Sequence, residues 1–263
     1  MSRSRNRQRG SSPSRSGFSA LLALFSSGSV FTADRFALDG VSGKVASFSD
    51  WFDASHTIVQ ATSANQVAAP AASALFAGRV AAAFAGAQVY VSNRGVASWK
   101  FRHDGTGYAE VNIYKPAGSG TGILTATQHG SGGHIGLWHG FSSTPSTRVA
   151  VNNGSAAIVS YNSGSKPTAG AATYTTFEYS ESASPKYAIR DKSSLLTSGS
   201  PSGSPSSSNP TYTFRIGADN SGSPGGNYAT MDWVATFIRP SVLSTSDRAA
   251  LQAAIQSVYG IAP

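Results

Sequence analysis

Residues Val45 to Pro70 read VASFSDWFDASHTIVQATSANQVAAP. The stretch opens on a short alternation, Val45 and Ser47 to one side and Ala46 and Phe48 to the other. It then breaks into a polar corner carrying Asp50, Trp51, Asp53 and Ser55. Period-two alternation marks a strand with one face turned inward, and Asp or Ser side chains at a break bond the nearby backbone and turn the chain. The reading is a strand that feeds a structured corner, with Gln60, Asn65, Gln66 and Pro70 behind it.

The same alternation recurs along the chain. In Val96 to His103, Ala97, Trp99 and Phe101 oppose Ser98, Lys100 and Arg102; in Tyr108 to Lys115, Ala109, Val111 and Ile113 oppose Glu110 and Asn112. Each predicts a strand with one wet and one dry face, as a β-sandwich requires. Further strands are predicted around Ile123 to Thr127, Ile135 to His139, Val149 to Val151, Ala157 to Tyr161, Tyr174 to Tyr179, Lys186 to Arg190 and Tyr212 to Ile216, separated by Gly-, Ser- and Pro-rich turns. Ser198 to Pro210, SGSPSGSPSSSNP, has the composition of a solvated loop. The closing stretch, Asn227 to Pro263, predicts a long core strand with Ala229, Met231, Trp233, Ala235 and Phe237 on one face. A helix follows, with Ser244 as N-cap, Asp247 in the first turn, a stripe of Leu251, Ile255 and Val258, and Gly260 to end it.

The pattern Trp51-x-Asp53-x-Ser55, then Gln60, Asn65-Gln66 and Pro70, resembles the opening of the concanavalin A-like jelly rolls of laminin-G type, common in phage and bacterial surface proteins. The final strand, turn, helix and Tyr259-Gly260-Ile261 are similar to that family's closing, so the resemblance brackets nearly the whole chain from Phe31. It implies an all-β fold, a jelly-roll β-sandwich with a short C-terminal helix, in which Trp51 plugs the sandwich. It also implies a strand, a turn near Gly78-Arg79 and another strand in Ala71 to Ala87, where alanine-rich periodicity alone reads equally as a helix. The expected division is an N-terminal arm with a short helix over 1–28 and a jelly roll over 29–263.

Composition agrees with one such domain: 263 residues, 28 of them glycine, and only 12% charged. The absence of cysteine excludes disulfides, thiolate metal sites and cysteine nucleophiles. No run approaches the ~18 apolar residues of a membrane-spanning helix, so no membrane partner is expected. The formal charge is +8, and Arg3, Arg5, Arg7, Arg9 and Arg15 all precede the first acidic residue, Asp34. Behind them Phe18, Leu21, Leu22 and Phe25, spaced i, i+3, i+4 and i+7, form the apolar stripe of a short helix. An Arg-rich start before a short apolar run also imitates a targeting peptide, although this run is brief. The expectation is an anchor: arginines and stripe ordered on a partner, a virion protein in the leading reading, with nucleic acid left open.

Glucanases of the clan carry an E-x-D-x-x-E array that puts their carboxylates on one strand face. The three glutamates here, Glu110, Glu178 and Glu181, form no such array, so no catalytic residues and no enzyme are expected. His129, His134 and His139 recur every five residues, which flips the face of a strand each time; they read as turn and surface histidines and not as metal ligands. A serine hydrolase lacks its G-x-S-x-G elbow. Asp219 and Asn220, or Asp50 and Asp53, offer hard oxygens of the type calcium takes, but such pairs more often make Asx turns, and no cofactor is assigned. A sugar platform needs exposed aromatic rings beside planar polar groups; Trp138, Tyr108, Asn112 and Tyr114 are the candidates, the last three sharing the face expected to point outward.

The expected function is therefore a non-catalytic phage virion protein on the capsid surface, a decoration or head-fibre protein in many copies, homo-oligomeric and anchored by its arm to capsid proteins. The alternative is a carbohydrate-binding receptor module with a surface glycan as partner. A glycoside hydrolase stands third.

Overall fold

The computed structural model describes residues 15–117, 122–128, 133–142, 146–162, 167–218 and 227–263. Helix α1 (Arg15–Leu24) leads into β1 (Ser29–Leu38), β2 (Val45–Asp50) and β3 (Thr57–Val59). Next come β4 (Ala71–Ala72), β5 (Val80–Ala85), β6 (Tyr90–Ser92) and a 3₁₀ helix over Val96–Arg102. The middle of the chain forms β7 (Tyr108–Pro116), β8 (Gly122–Ala126), β9 (Ile135–Ser142), β10 (Ser146–Asn153) and β11 (Ala157–Asn162). Strands β12 (Thr173–Tyr179), β13 (Tyr187–Asp191), β14 (Ser194–Gly199), β15 (Arg215–Ile216) and β16 (Thr230–Arg239) precede helix α2 (Thr245–Tyr259).

All strand pairs are antiparallel, and one strand turns the ladder back on itself. The first half of β1 pairs with β16, Ser29 opposite Ile238, while its second half pairs with β2, Phe36 opposite Phe48, across a register shift. A bulge of this kind lets one strand serve two sheets. The first sheet runs β16-β7-β12-β13-β14, with β5 beside the start of β16; the second runs β2-β3-β6-β15-β8-β9-β10-β11. Their inner faces meet in an aromatic core, in which Phe48 of β2 lies 5.0 Å from Trp233 of β16 and Tyr114 of β7 stacks at 5.8 Å on Phe141 of β9. This is the all-β sandwich that the resemblance implies.

The outer face of the first sheet is not open to water. Val30, Ala109, Val111, Ile113, Ala235 and Phe237 pack against Leu21 and Phe25 of α1 and Leu251, Ile255 and Val258 of α2. The expected arm and jelly roll are thus one packed unit from α1 onward, and the boundary at residue 28 is a turn within it. Gly28 shows how tightly that turn is drawn: a Cβ there would sit 1.8 Å from the Ile238 carbonyl oxygen. The predicted end helix is present with its caps. Ser244 accepts from the Asp247 amide, the Asp247 carboxylate accepts from the Ser244 amide, and Gly260 closes the helix in the left-handed region.

Several expectations need correction. Val96 to His103 is not a strand: a 3₁₀ helix brings residues three apart to one side, and this one buries Trp99 and Arg102 together. Trp51 does not plug the sandwich. It is half-buried outside the inter-sheet core, edge-on to Phe18 of α1 at 4.9 Å with its indole donating to Thr32 Oγ1 at 2.7 Å; Trp233 and Trp99 fill the interior instead. The Ala71 to Ala87 segment is strand, turn and strand, as implied, the turn passing through Ala77 and Gly78 at positive φ. The Ser198 to Pro210 loop is partly packed: Asn153 Nδ2 donates to the Ser204 carbonyl at 3.0 Å, and His103 Nε2 lies 3.1 Å from that of Ser208.

Candidate functional site

Strand β7 carries three of the residues expected on a sugar platform, and it places them inside. Tyr108, Asn112 and Tyr114 are fully buried between the sheets, because α1 and α2 take the opposite face of β7 and leave its Tyr108-Glu110-Asn112-Tyr114 face for the interior. That face forms a buried polar network centred on Glu110. Arg102 Nη2 donates to Glu110 Oε2 at 2.5 Å, and Tyr108 and Thr125 donate to the same carboxylate. Asn112 Nδ2 donates to Glu110 Oε1 at 2.6 Å, and Thr236 donates to Asn112 Oδ1 at 2.7 Å. His139 crosses from the second sheet: with its proton on Nδ1 it donates to Glu110 Oε1 at 3.2 Å, and Nε2 accepts from Thr175 at 3.1 Å. His139 is therefore an interior histidine and not the surface one expected. His134 lies 5.7 Å from the Tyr212 ring, and His129 falls outside the described residues.

The Trp51 corner holds an arrangement that the missing G-x-S-x-G motif argued against. Asp50 Oδ2 lies 2.9 Å from His56 Nδ1, and His56 Nε2 lies 3.2 Å from Ser92 Oγ. Burial pushes the Asp50 carboxyl up, but bonds from His56 and from the amides of Phe52 and Val30 outweigh it and lower its pKa. The three side chains are buried and Ser92 Oγ also accepts from the Arg94 amide at 3.1 Å; we assign the triplet to pinning β2, β3 and β6 around the corner. Asp53 accepts from Ser55 and pairs with Arg94 at 2.7 Å, the Asx turn expected in place of a calcium site. Asp219 and Asn220 lie outside the described residues. Among the described residues no group of three or more His, Cys, Asp or Glu could hold a metal.

The stripe expected to grip a partner is spent within the chain. Leu21 and Phe25 are fully buried against the first sheet, with Phe18 and Leu22 packed beside them, because the outer face of that sheet needs an apolar cover. Arg3, Arg5, Arg7 and Arg9 lie outside the described residues; Arg15 opens α1.

Trp138 is the member of the expected sugar platform that lies on the face of the second sheet turned away from the inter-sheet core, but it is only 7% exposed and so is not the open ring expected. Leu137 and Phe141 of β9 point into the core, so Trp138 stands on the far side of the second sheet, flanked across the ladder by Ala126 of β8 and Ala150 of β10. On β10, Val149 and Val151 point inward, and Arg148 and Asn152 stand beside the indole. The Arg148 guanidinium lies 5.3 Å from the indole centroid, a cation–π distance. Next along the face, Arg215 lies 4.5 Å over the Tyr212 ring. Asn152 Nδ2 donates to Gln128 Oε1 at 2.7 Å, whereas Trp138 Nε1, Arg148 Nε and Asn152 Oδ1 are buried with no hydrogen-bond partner among the described residues. The ring's own N–H, one further donor and one acceptor are thus left without partners, each a group whose unmet bond costs about 1–3 kcal/mol. Sequence reasoning found Trp138 and missed Arg148 and Asn152; their signal was the alternation of Arg148, Ala150 and Asn152 with Val149 and Val151.

No protein-family model matches the chain, and no curated protein matches it. Solved structures do. The Trypanosoma rangeli sialidase in complex with sialic acid matches with a TM-score of 0.54 at 13% identity, over 87% of this chain and 32% of that one. The covalent intermediate of the same sialidase with 2,3-difluorosialic acid matches with a TM-score of 0.57 at 10% identity, over 92% of this chain and 38% of that one. The Ruminococcus gnavus IT-sialidase CBM40 matches with a TM-score of 0.51 at 11% identity, over 65% of this chain and 96% of that one. The chain thus spans about a third of the sialidases' length. At these identities the likeness shows the fold alone. It nevertheless corrects the expectation that the chain is not an enzyme: glycoside hydrolases contain this fold, so a missing carboxylate array excludes nothing.

Proposed function

We propose that this chain is a glycan-recognition module whose sugar site is the Trp138 face. The observation that carries the reading is the set of buried, unpaired atoms around one indole, Trp138 Nε1, Arg148 Nε and Asn152 Oδ1. Sugars present apolar C–H faces that stack on aromatic rings, and hydroxyls that both donate and accept; an indole with a free N–H, bordered by one donor and one acceptor, matches both properties. Arg148 stands over the indole at 5.3 Å, so a sugar that stacks on that face has to displace it. The names of the neighbours, a sialidase bound to sialic acid and a CBM40, agree with a glycan as partner.

The test is binding of the full chain to an immobilised panel of neutral and sialylated glycans, with the same incubations read for released sugar. Saturable binding that Trp138→Ala and Asn152→Ala abolish in a chain that still folds is the expected result; Trp138→Ala should also melt earlier, since the ring is buried. Binding that survives both substitutions moves the site elsewhere, and binding to no glycan removes the reading. The setting we propose is a phage particle, with the chain as a capsid decoration or head-fibre protein. It is favoured by the charge of Arg3, Arg5, Arg7 and Arg9, which precedes the packed elements in the sequence. Loss of incorporation into particles when these four are replaced by Gln tests it.

A further inference from the structure

The opposite side of the molecule carries a concavity with different chemistry. A pocket of about 180 Å³ opens between β12, β13 and the turn that leads into α2, lined by Glu178, Pro185, Lys186, Arg190, Val242 and Arg248 among others. Phe177 and Tyr179 point into the core, so Glu178 points out of it, and Arg190 follows on the same side because Ile189 points inward. Glu178 is almost completely buried and saturated with donors. Its Oε1 accepts from Arg190 Nη1 at 2.9 Å and Arg248 Nη1 at 3.1 Å, and its Oε2 accepts from Arg248 Nη1 at 3.0 Å and the Leu243 amide at 2.9 Å.

The charges do not balance. One carboxylate serves two guanidinium groups, and the third cation of the lining, Lys186, pairs with Glu181 at 2.5 Å. One positive charge is left over where water is partly excluded. Each guanidinium uses only Nη1 in the bonds described, so the edge formed by Nε and Nη2 is unused on both. That edge binds a planar carboxylate through two parallel bonds. Burial and the charge of Arg248 both lower the pKa of Arg190 while Glu178 raises it; a second carboxylate would act as Glu178 does. Pro185, Ala188 and Val242 supply an apolar wall for the remainder of a small molecule.

We propose that this pocket binds a small organic carboxylate, held by the free edges of Arg190 and Arg248, with Glu178 fixing the two guanidinium groups. The site is independent of the Trp138 face. Titration of the full chain with glucuronate, followed by calorimetry or amide shifts of residues around Glu178, reads it directly. Glucose serves as the uncharged control, and sulfate as the non-planar anion. The expected result is saturable glucuronate binding that weakens with added salt, no comparable response to glucose, and weaker binding of sulfate. Arg190→Gln should lower the affinity about tenfold or more. Glu178→Gln should raise it, since the amide oxygen can still accept from Arg190 and Arg248 while the negative charge that repels a second carboxylate is gone; a merely structural ion pair would not give that sign. Should either variant melt early, Arg190→Lys keeps the charge, loses the fork, and should still lose most of the affinity. Absence of saturable binding, an equal response to glucose, or binding indifferent to Arg190→Lys overturns the proposal.

Discussion

Glu110 brings a carboxylate into the middle of the sandwich, where it survives as an anion only because Arg102, Asn112, Thr125, Tyr108 and His139 converge on it. Burial alone pushes this carboxyl up; the charge of Arg102 and the bonds from His139 and Thr125 more than reverse that, so its pKa lies well below the usual carboxylate range. A carboxyl depressed in the folded state contributes stability in full above its unfolded value of about 4.3. That contribution is lost as pH falls through the folded value. Glu110→Gln should therefore destabilise the chain at neutral pH by about 3–5 kcal/mol, the cost of leaving Arg102 buried without a counter-charge. It should also make the acid loss of stability below about pH 4 shallower. Denaturant unfolding at several pH values measures both, and a variant as stable as the parent would mean that water or a neighbour neutralises Arg102. The sequence shows Glu110 and Asn112 on one face of a strand; that the face is dry depends on residues far along the chain.

Helix α1 is where element-scale reasoning changed most. Its i, i+3, i+4, i+7 stripe is a correct prediction of an amphipathic helix, yet periodicity says only that one face must be covered and not by what. The cover is the chain's own first sheet, with the Phe25 and Phe237 rings 5.3 Å apart. Phe25→Ala should accordingly cost about 3–5 kcal/mol through lost burial and the cavity left behind. An anchor reserved for a partner would show no change in the melting of the isolated chain. Helix α2 was legible to its caps because Ser244, Asp247 and Gly260 act locally. Residues 96–102 were not: their alternation suits a strand, and a 3₁₀ helix wins because it buries Trp99 and Arg102 on one side.

At the scale of the whole molecule the described residues from α1 onward already close the core, so a chain starting at Arg15 should melt as the full chain does. Differential scanning calorimetry of the two checks this, and a drop for the shorter chain would give residues 1–14 a part in the core. What the sequence determined by itself is the set of local facts: two-residue alternation, turn chemistry, helix caps, the apolar stripe of α1 and the lack of any thiol chemistry. These depend on neighbours within a few residues, where steric and hydrogen-bonding preferences act without reference to the rest of the chain. Only the tertiary structure decided what each strand face packs against. Two helices, one at each end of the described chain, close over the first sheet, sending Tyr108, Asn112 and Tyr114 inward and leaving Trp138 with Arg148 and Asn152 on the far face of the second. The reason is physical: alternation assigns residues to two faces, but burial belongs to whatever distant segment packs against each face, and a period of two carries no information about that segment.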